Sequence, residues 1–173
     1  MGLFRRKAVK GMTEAQMDAA TGPAVEALTQ NLRAGEEIIA ESVVFAYPQA
    51  VDPSTGEWHE GSLNLAAVTN QVLCIADPTT GQRNIEYDIL GLNWYKIRPE
   101  DASMMVQFSG LNKDLVQVIV LRLAGPTDWP GPFRSTLLSG LAGALTDTWE
   151  KHTGQSWDFV GMEESVRTAD GPR

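Results

Sequence analysis

The hydrophobic pattern changes along the chain from helical to alternating and back to helical. Near the N-terminus, Thr13 and Gln16 have the spacing of a capping box, which predicts a short helix ending near Ala20. Pro23 can open a second helix, because a proline cannot continue the hydrogen-bond ladder of the first. Gly35 can end this second helix as a left-handed cap. Its apolar stripe consists of Val25, Leu28 and Leu32.

Between residues 36 and 123, β-branched and aromatic residues predict strands separated by turns. Two similar segments, 52–56 and 77–81, place Asp, Pro and Gly as hairpin loops do. The long segment 58–76 divides at Thr69-Asn70 into two strands, the first with one apolar face made of Leu63, Leu65 and Ala67. The last predicted strand is almost continuously apolar and should be central. Further strands are predicted at residues 83–87, 90–98, 103–109 and 115–123.

A Pro- and Gly-rich segment, residues 125–132, ends the run of strands. Apolar residues then recur every four positions, which predicts an amphipathic helix of about 18 residues that can close one end of a sheet. Gly140 and Gly143 lie on its other sides, where we expect close packing on the sheet, with a surface for a partner helix as the alternative. The apolar stripe consists of Phe133, Leu137, Leu141, Leu145 and Trp149.

Three motifs in this order resemble those of bacterial PH-like and GRAM-like domains. Residues 32–39 are similar to the family's L-x-x-G-E opening, residues 61–73 to its G-x-L-x-L-T-N-x-R-L hairpin, and residues 85–90 to the step that follows. Gln71-Val72 departs from the basic residue that the family has before the leucine. The resemblance implies a mainly β, α+β fold: a bent antiparallel sheet of about seven strands capped by a C-terminal helix, here with an N-terminal helical extension.

The chain accordingly divides into four segments. They are a basic N-terminal tail (1–12), an N-terminal helical extension (13–35), the PH-like domain (36–152) and a C-terminal tail (153–173). Hydrophobic residues make up 43% of the chain and charged residues 21%, which is typical of a globular protein. Its single cysteine, Cys74, lies in an apolar run, where we expect it to be buried. With no disulfide, signal peptide or transmembrane segment in the sequence, we expect a protein of the cytoplasm or of a larger assembly.

The net charge of −8 is unevenly distributed. Residues 1–10 contain four basic residues and no acidic one, so the other residues sum to −12 (−8 minus +4). An acidic body disfavours nucleic acid and anionic lipid. Two interpretations of the N-terminus stay open: a solvated tail, or weak contact with an anionic membrane. The residues that would make this contact are Leu3, Phe4, Arg5, Arg6, Lys7 and Lys10.

The sequence contains no pattern typical of a catalytic, metal or cofactor site. His59 and His152 lack further ligands at zinc-site spacing, and phosphate-binding and nucleophile-elbow motifs are absent. A phosphoinositide site in a PH-like domain uses basic residues on early loops, yet residues 49–57 contain none and only Arg83 lies near the next loop. We therefore expect no enzymatic activity and no cofactor.

Aromatic residues are the better indication of function, because exposed aromatics mark protein interfaces. Trp94 and Tyr95 are adjacent in a predicted strand, so one of them should face outward. The resemblance implies binding of lipids, peptides or proteins, or oligomerisation. We expect a non-enzymatic scaffold module that binds a protein partner or self-assembles, as in a phage or bacterial assembly; the alternative is a peripheral membrane adaptor. The residues expected at the protein interface are Trp94, Tyr95, Trp129, Trp157 and Phe159.

Overall fold

The computed structural model describes residues 13–48, 62–98, 102–109, 116–124 and 131–157. Along the chain, these residues form one helix, then seven strands, then a second helix. Helix α1 spans Glu14–Thr29 and helix α2 spans Gly131–Thr153. The strands are β1 (Ile38–Pro48), β2 (Ser62–Thr69), β3 (Val72–Ala76), β4 (Arg83–Asp88), β5 (Leu92–Arg98), β6 (Ser103–Ser109) and β7 (Val116–Leu123), and a 3-10 turn, Ile89–Gly91, leads into β5.

The strands form one antiparallel sheet in the order β4-β3-β2-β1-β7-β6-β5. Strand β1 joins the two halves of the sheet, because its residues 38–46 pair with β2 and its residues 44–48 pair with β7. The meander and its C-terminal helix confirm the predicted PH-like fold. Strand β7 lies inside the sheet between β1 and β6, as its apolar sequence predicted.

The main core lies between α2 and one face of the sheet, which we call the inner face. Leu141 and Leu145 of the predicted repeat are at most 1% exposed, and Leu137 and Trp149 are partly buried against the same core, so these four residues are the stripe that meets the sheet. Leu138 beside them is fully buried, and the side chain of Phe133 lies outside what the structure describes. Tyr87 of β4 and Phe108 of β6 stack at 4.7 Å between ring centroids, which joins the two halves across the core.

Helix α1 covers the outer face of the first half of the sheet. Ala24 and Leu28 are fully buried there and belong to a second cluster with Val43 of β1. Strand β2 is buried on both faces: Leu65 packs under α1, whereas the next residue, Ala66, faces the main core. The single apolar face predicted for β2 was therefore incomplete, because a helix lies on each side of it.

Helix α1 is continuous, and the predicted interruption at residues 21–23 was wrong. The capping box is present as predicted: Gln16 N–H donates to Thr13 Oγ1 at 3.2 Å, and Thr13 N–H donates to Gln16 Oε1 at 2.9 Å. Pro23 lies inside the helix on its exposed side, as does Ala19, whose carbonyl loses its helical donor. Water can solvate that carbonyl, which makes the proline tolerable. Gly35 is not the helix cap; it lies in the turn before β1 with φ +74°.

The second predicted hairpin loop is confirmed in detail. Asp77 Oδ1 accepts hydrogen bonds from the backbone N–H groups of Thr79 (2.9 Å) and Thr80 (2.8 Å), which holds the turn between β3 and β4. These bonds lower the pKa of Asp77. The first predicted loop, at residues 52–56, lies outside the described residues.

The glycines of α2 do not pack as expected. A Cβ built on Gly140 or Gly143 meets no atom within 4 Å outside the helix's own backbone. Close packing on the sheet therefore does not explain them, although Ala142 and Ala144 on the same helix do belong to the main core.

Gly81 in the β3–β4 turn is buried directly beneath α1. A Cβ at this position would lie 2.2 Å from the carbonyl oxygen of Ala27, so the helix backbone rests on the turn. Asn31 Nδ2 donates to the carbonyls of both Ala27 (3.0 Å) and Thr80 (3.3 Å) at the same contact. Only a residue without a side chain permits this approach.

Gly81→Ala should reduce the free energy of unfolding far more than Gly35→Ala. Both glycines have positive φ, +68° and +74°, so each substitution costs about 1–2 kcal/mol in backbone strain. Only at Gly81 must α1 also move, which we expect to bring the total loss to about 3 kcal/mol or more. Urea denaturation of the two variants measures the difference. Equal losses would show that α1 does not rest on this turn.

Candidate interaction surface

Neither of the two described helices covers the outer face of the second half of the sheet, whereas α1 covers that of the first half. Main-core residues such as Met104, Val106 and Ile119 alternate along β6 and β7 with residues that point away from that core. We call the set that points away the outer face of β5–β7. It comprises Trp94, Lys96, Arg98, Ser103, Met105, Gln107, Ser109, Val116, Val118, Val120 and Arg122.

Strand pairing arranges this face in cross-strand rows. Trp94 pairs with Gln107, which pairs with Val118, and Lys96 pairs with Met105, which pairs with Val120. Directly opposite side chains on one face of an antiparallel sheet touch. The rows therefore place an indole, a thioether and valine side chains beside one another.

The apolar part of the face is incompletely covered. Val120 at its centre is 1% exposed, whereas Trp94, Met105 and Val118 around it are only partly buried. Val116 is 53% exposed, one of three large apolar residues in the described chain with such exposure. A partly buried tryptophan beside partly buried Met105 and Val118 and an exposed valine is typical of a protein interface.

The charge of this face is opposite to that of the chain. Its residues include Lys96, Arg98 and Arg122 and no acid, whereas the chain contains 22 acidic and 14 basic residues. A basic and apolar face on an acidic chain selects for partners that are acidic and apolar.

Strand β5 is also an edge of the sheet, because among the described strands it pairs with β6 alone. Asn93 and Lys96 are exposed along it, and the register with β6 shifts between Leu92 and Trp94. An exposed lysine and an irregular register are features that discourage unspecific strand pairing. They favour contact through the face rather than through the edge.

The structure separates the aromatic residues that the sequence grouped. Trp94 faces outward, while Tyr95 packs against the main core, where burial raises its pKa. Trp157 also packs against the main core, and its ring meets that of Trp149 edge-on at 4.9 Å. Trp94 and Trp157 therefore lie on opposite sides of the sheet. Two further predicted interface residues, Trp129 and Phe159, and the predicted membrane contacts Leu3, Phe4, Arg5, Arg6, Lys7 and Lys10 lie outside the described residues.

Sequence reasoning missed Met105, Val118 and Arg122 as members of this surface. Strand β7 reads as almost continuously apolar, which obscured its alternation between two faces. Their place on this surface follows from the register of β6 with β7, which gives each outward residue of β7 a partner in β6 and which no local pattern in the sequence contains.

A cluster of four charged residues fixes the position of α1, and we call it the ionic cluster: Arg33, Glu36, Arg83 and Glu86. The side chain of Glu36 is completely buried, and Arg83 donates to both of its oxygens, at 2.6 and 2.9 Å. Arg83 Nε faces Glu86 at 2.5 Å in an ion-pair contact without hydrogen-bond geometry. Arg33 closes the cluster by donating to Glu86.

Glu36 is held as a carboxylate. Burial raises its pKa, but hydrogen bonds from the Arg83 guanidinium, the Arg33 backbone N–H and the Thr69 hydroxyl outweigh burial and lower the pKa from 4.5 to about 2. These contacts give the L-x-x-G-E and T-N motifs a structural role, because Glu36 of the first motif bonds to Thr69 of the second. Asn70 adds two more bonds between them: it donates to the Gly35 carbonyl at 2.9 Å and accepts from the Glu37 N–H at 3.2 Å. The end of α2 reaches the same corner, since His152 Nε2 lies 2.6 Å from the Asn70 carbonyl and must donate to it.

The remaining chemistry is structural in character. Cys74 is buried beneath α1, and burial raises the pKa of its thiol to about 11. Within the described ranges, no group of three His, Cys, Asp or Glu side chains could hold a metal ion. Of the helices in those ranges, neither is long and apolar enough to span a membrane.

Comparison with known proteins adds little beyond the fold. No family model matches the chain, and no curated protein matches it. Among solved structures, the Ran-binding domain of the nuclear complex component Nup2 from Ashbya gossypii is similar at 7% identity and a TM-score of 0.43, covering 65% of this chain and 97% of that one. The hSac2 domain of the human phosphoinositide phosphatase Sac2 has 12% identity and a TM-score of 0.42, with 76% and 80% covered. Similarity at this level carries no argument about function.

Acidification should remove the stabilising effect of Glu36. Because its folded pKa of about 2 lies below the ordinary 4.5, its contribution is complete above pH 4.5 and is lost as the pH falls from 4.5 towards 2. At pH 6, Glu36→Gln should lower the free energy of unfolding by about 3 kcal/mol, because it leaves Arg83 without its buried partner. At pH 3 the difference from the unmodified protein should be about 2 kcal/mol smaller.

Urea denaturation at the two pH values measures these differences. Glu41→Gln, on the exposed side of β1, is the control and should change the free energy of unfolding by less than about 0.5 kcal/mol. A difference between the Glu36 variant and the unmodified protein that stays constant with pH would contradict the assignment.

Proposed function

We propose that this chain is a non-enzymatic protein-interaction module that binds its partner through the outer face of β5–β7. The observation that carries the proposal is the unequal cover of the sheet. Helix α1 buries the outer face of the first half, while Trp94, Met105 and Val118 on the second half are left partly exposed. Partly exposed apolar side chains on a sheet face are stabilised when a second layer covers them, because their apolar surface is removed from water.

The polar chemistry of the described residues supports a binding role over a catalytic one. The buried carboxylate, that of Glu36, is neutralised by Arg83, and the buried thiol, that of Cys74, has a pKa of about 11, so it is scarcely ionised near neutrality. Neither is poised as an acid, base or nucleophile. An interaction module needs neither.

The finer parts of the proposal follow from the sequence. The motifs at residues 32–39 and 61–73 favour membership of the bacterial PH-like or GRAM-like group, and a protein partner or a second copy fits the surface better than nucleic acid does. The proposed setting is the cytoplasm or a larger assembly, such as a phage or bacterial one. The alternative, a membrane adaptor, depends on residues 3–10, which lie outside the described residues.

A photo-crosslinking amino acid placed at Gln107 should capture the partner in cells that express the chain. Gln107 lies beside Trp94 on the proposed surface. The same amino acid at Gln30, which is exposed at the end of α1, is the matched control and should give no specific adduct. Trp94→Ala should reduce the adduct at Gln107 about tenfold, as removal of an interface tryptophan does. Adducts at Gln30 alone, or adducts at Gln107 insensitive to Trp94→Ala, would overturn the proposal.

A further inference from the structure

We propose that the occupant of the outer face of β5–β7 is residues 158–166 of a second copy of this chain. The inference rests on the proposed function, because it names the partner of the same surface. It makes the protein a homodimer in which each copy contributes a basic, apolar face and an acidic, apolar segment.

The first argument is complementary charge. Residues 158–166 contain Asp158, Glu163 and Glu164 and no basic residue. The face presents the exposed Lys96 and the partly exposed Arg122, and it contains no acid. Opposite charges at the edge of an apolar contact steer association and fix its register.

The second argument is complementary apolar content. Within the nine residues 158–166, Phe159, Val160 and Met162 are large and apolar, and they lie close to the acids. The face likewise presents Trp94, Met105 and Val118 among its basic residues. An aromatic side chain that becomes buried against an indole and a methionine supplies much of the free energy of a small interface.

The other terminal segment does not fit. Residues 1–10 carry four basic residues and no acid, so Lys96 and Arg122 would repel them. Of the two ends of the chain, the C-terminal segment alone matches the face in charge.

A second copy is favoured over the chain's own segment by the position of Trp157. Its ring packs against the main core beside Trp149, and its backbone N–H donates to Glu150 Oε1, so the chain leaves the described structure on the inner side of the sheet. The outer face lies on the opposite side. A segment would have to pass around a sheet edge to reach its own face. In two copies that lie side by side with their sheets facing opposite ways, the inner side of one copy is on the same side as the outer face of the other, so each segment can cross directly. Exchange of two segments gives a closed twofold dimer.

The experiment uses charge reversal in the full chain. A face variant carries Lys96→Glu and Arg122→Glu, and a segment variant carries Glu163→Lys and Glu164→Lys. Light scattering should show a dimer for the unmodified chain, and each variant alone should dissociate at a concentration at least ten times higher. An equimolar mixture of the two variants should form a heterodimer, because one contact keeps its original charges and the other has both charges reversed.

A chain with all four substitutions should dimerise again for the same reason. Far-ultraviolet circular dichroism and urea denaturation should show that every variant remains folded, since Lys96 is exposed and Arg122 partly exposed. Higher salt should weaken the dimer of the unmodified chain.

Three results would overturn the inference. They are a monomeric unmodified chain, variants that dimerise like the unmodified chain, and a mixture in which the variants do not associate. If the chain is monomeric but Gln107 still crosslinks to another protein in a Trp94-dependent manner, the inference fails and the proposed function stands. If neither association nor crosslinking occurs, both fail.

Discussion

The buried carboxylate of Glu36 is the interaction on which the arrangement of the rest depends. It lies where the chain leaves α1 and enters β1, and its partners come from three places: Arg33 before β1, Thr69 at the end of β2 and Arg83 at the start of β4. A buried charge of this kind is tolerated only when its hydrogen-bond acceptors are fully used. The constraint therefore brings the α1–β1 junction, the β2–β3 turn and the β3–β4 hairpin to one corner.

Once that corner is fixed, the position of α1 follows. The helix ends close to the ionic cluster, rests its backbone on Gly81 and buries Ala24 and Leu28 against the outer face of β1–β3. Because α1 covers that half of the sheet, the outer face that neither described helix covers is that of β5–β7. The same interaction that stabilises the fold thus decides which half of the sheet α1 covers.

The sequence predicted the order of the elements well, because local patterns determine them. The strand boundaries, the turn at Thr69-Asn70 and the stripe of α2 all follow from alternation, turn chemistry or helical periodicity. It did not predict the cover of both sheet faces, since apolar residues on β2 fit either face until α1 is placed. It also treated Arg83 as an isolated base beside a loop, because Glu36 is 47 positions away and the pair forms only in the fold. For the candidate surface, it gave the outward orientation of one residue of the Trp94-Tyr95 pair but not its neighbours, which depend on the register of β5, β6 and β7.

The central claim is that the outer face of β5–β7 makes the contact with a partner, here a second copy. Met104 and Met105 are adjacent in β6 and face opposite sides of the sheet, so their methyl groups report on the two faces separately. Methyl NMR spectra of the full chain, recorded over a range of protein concentrations, test the claim most directly. The account predicts that the Met105 methyl signal shifts or broadens with concentration while that of Met104 does not. Equal changes at both residues, or a change confined to exposed apolar residues elsewhere such as Ile39 and Leu90, would contradict it.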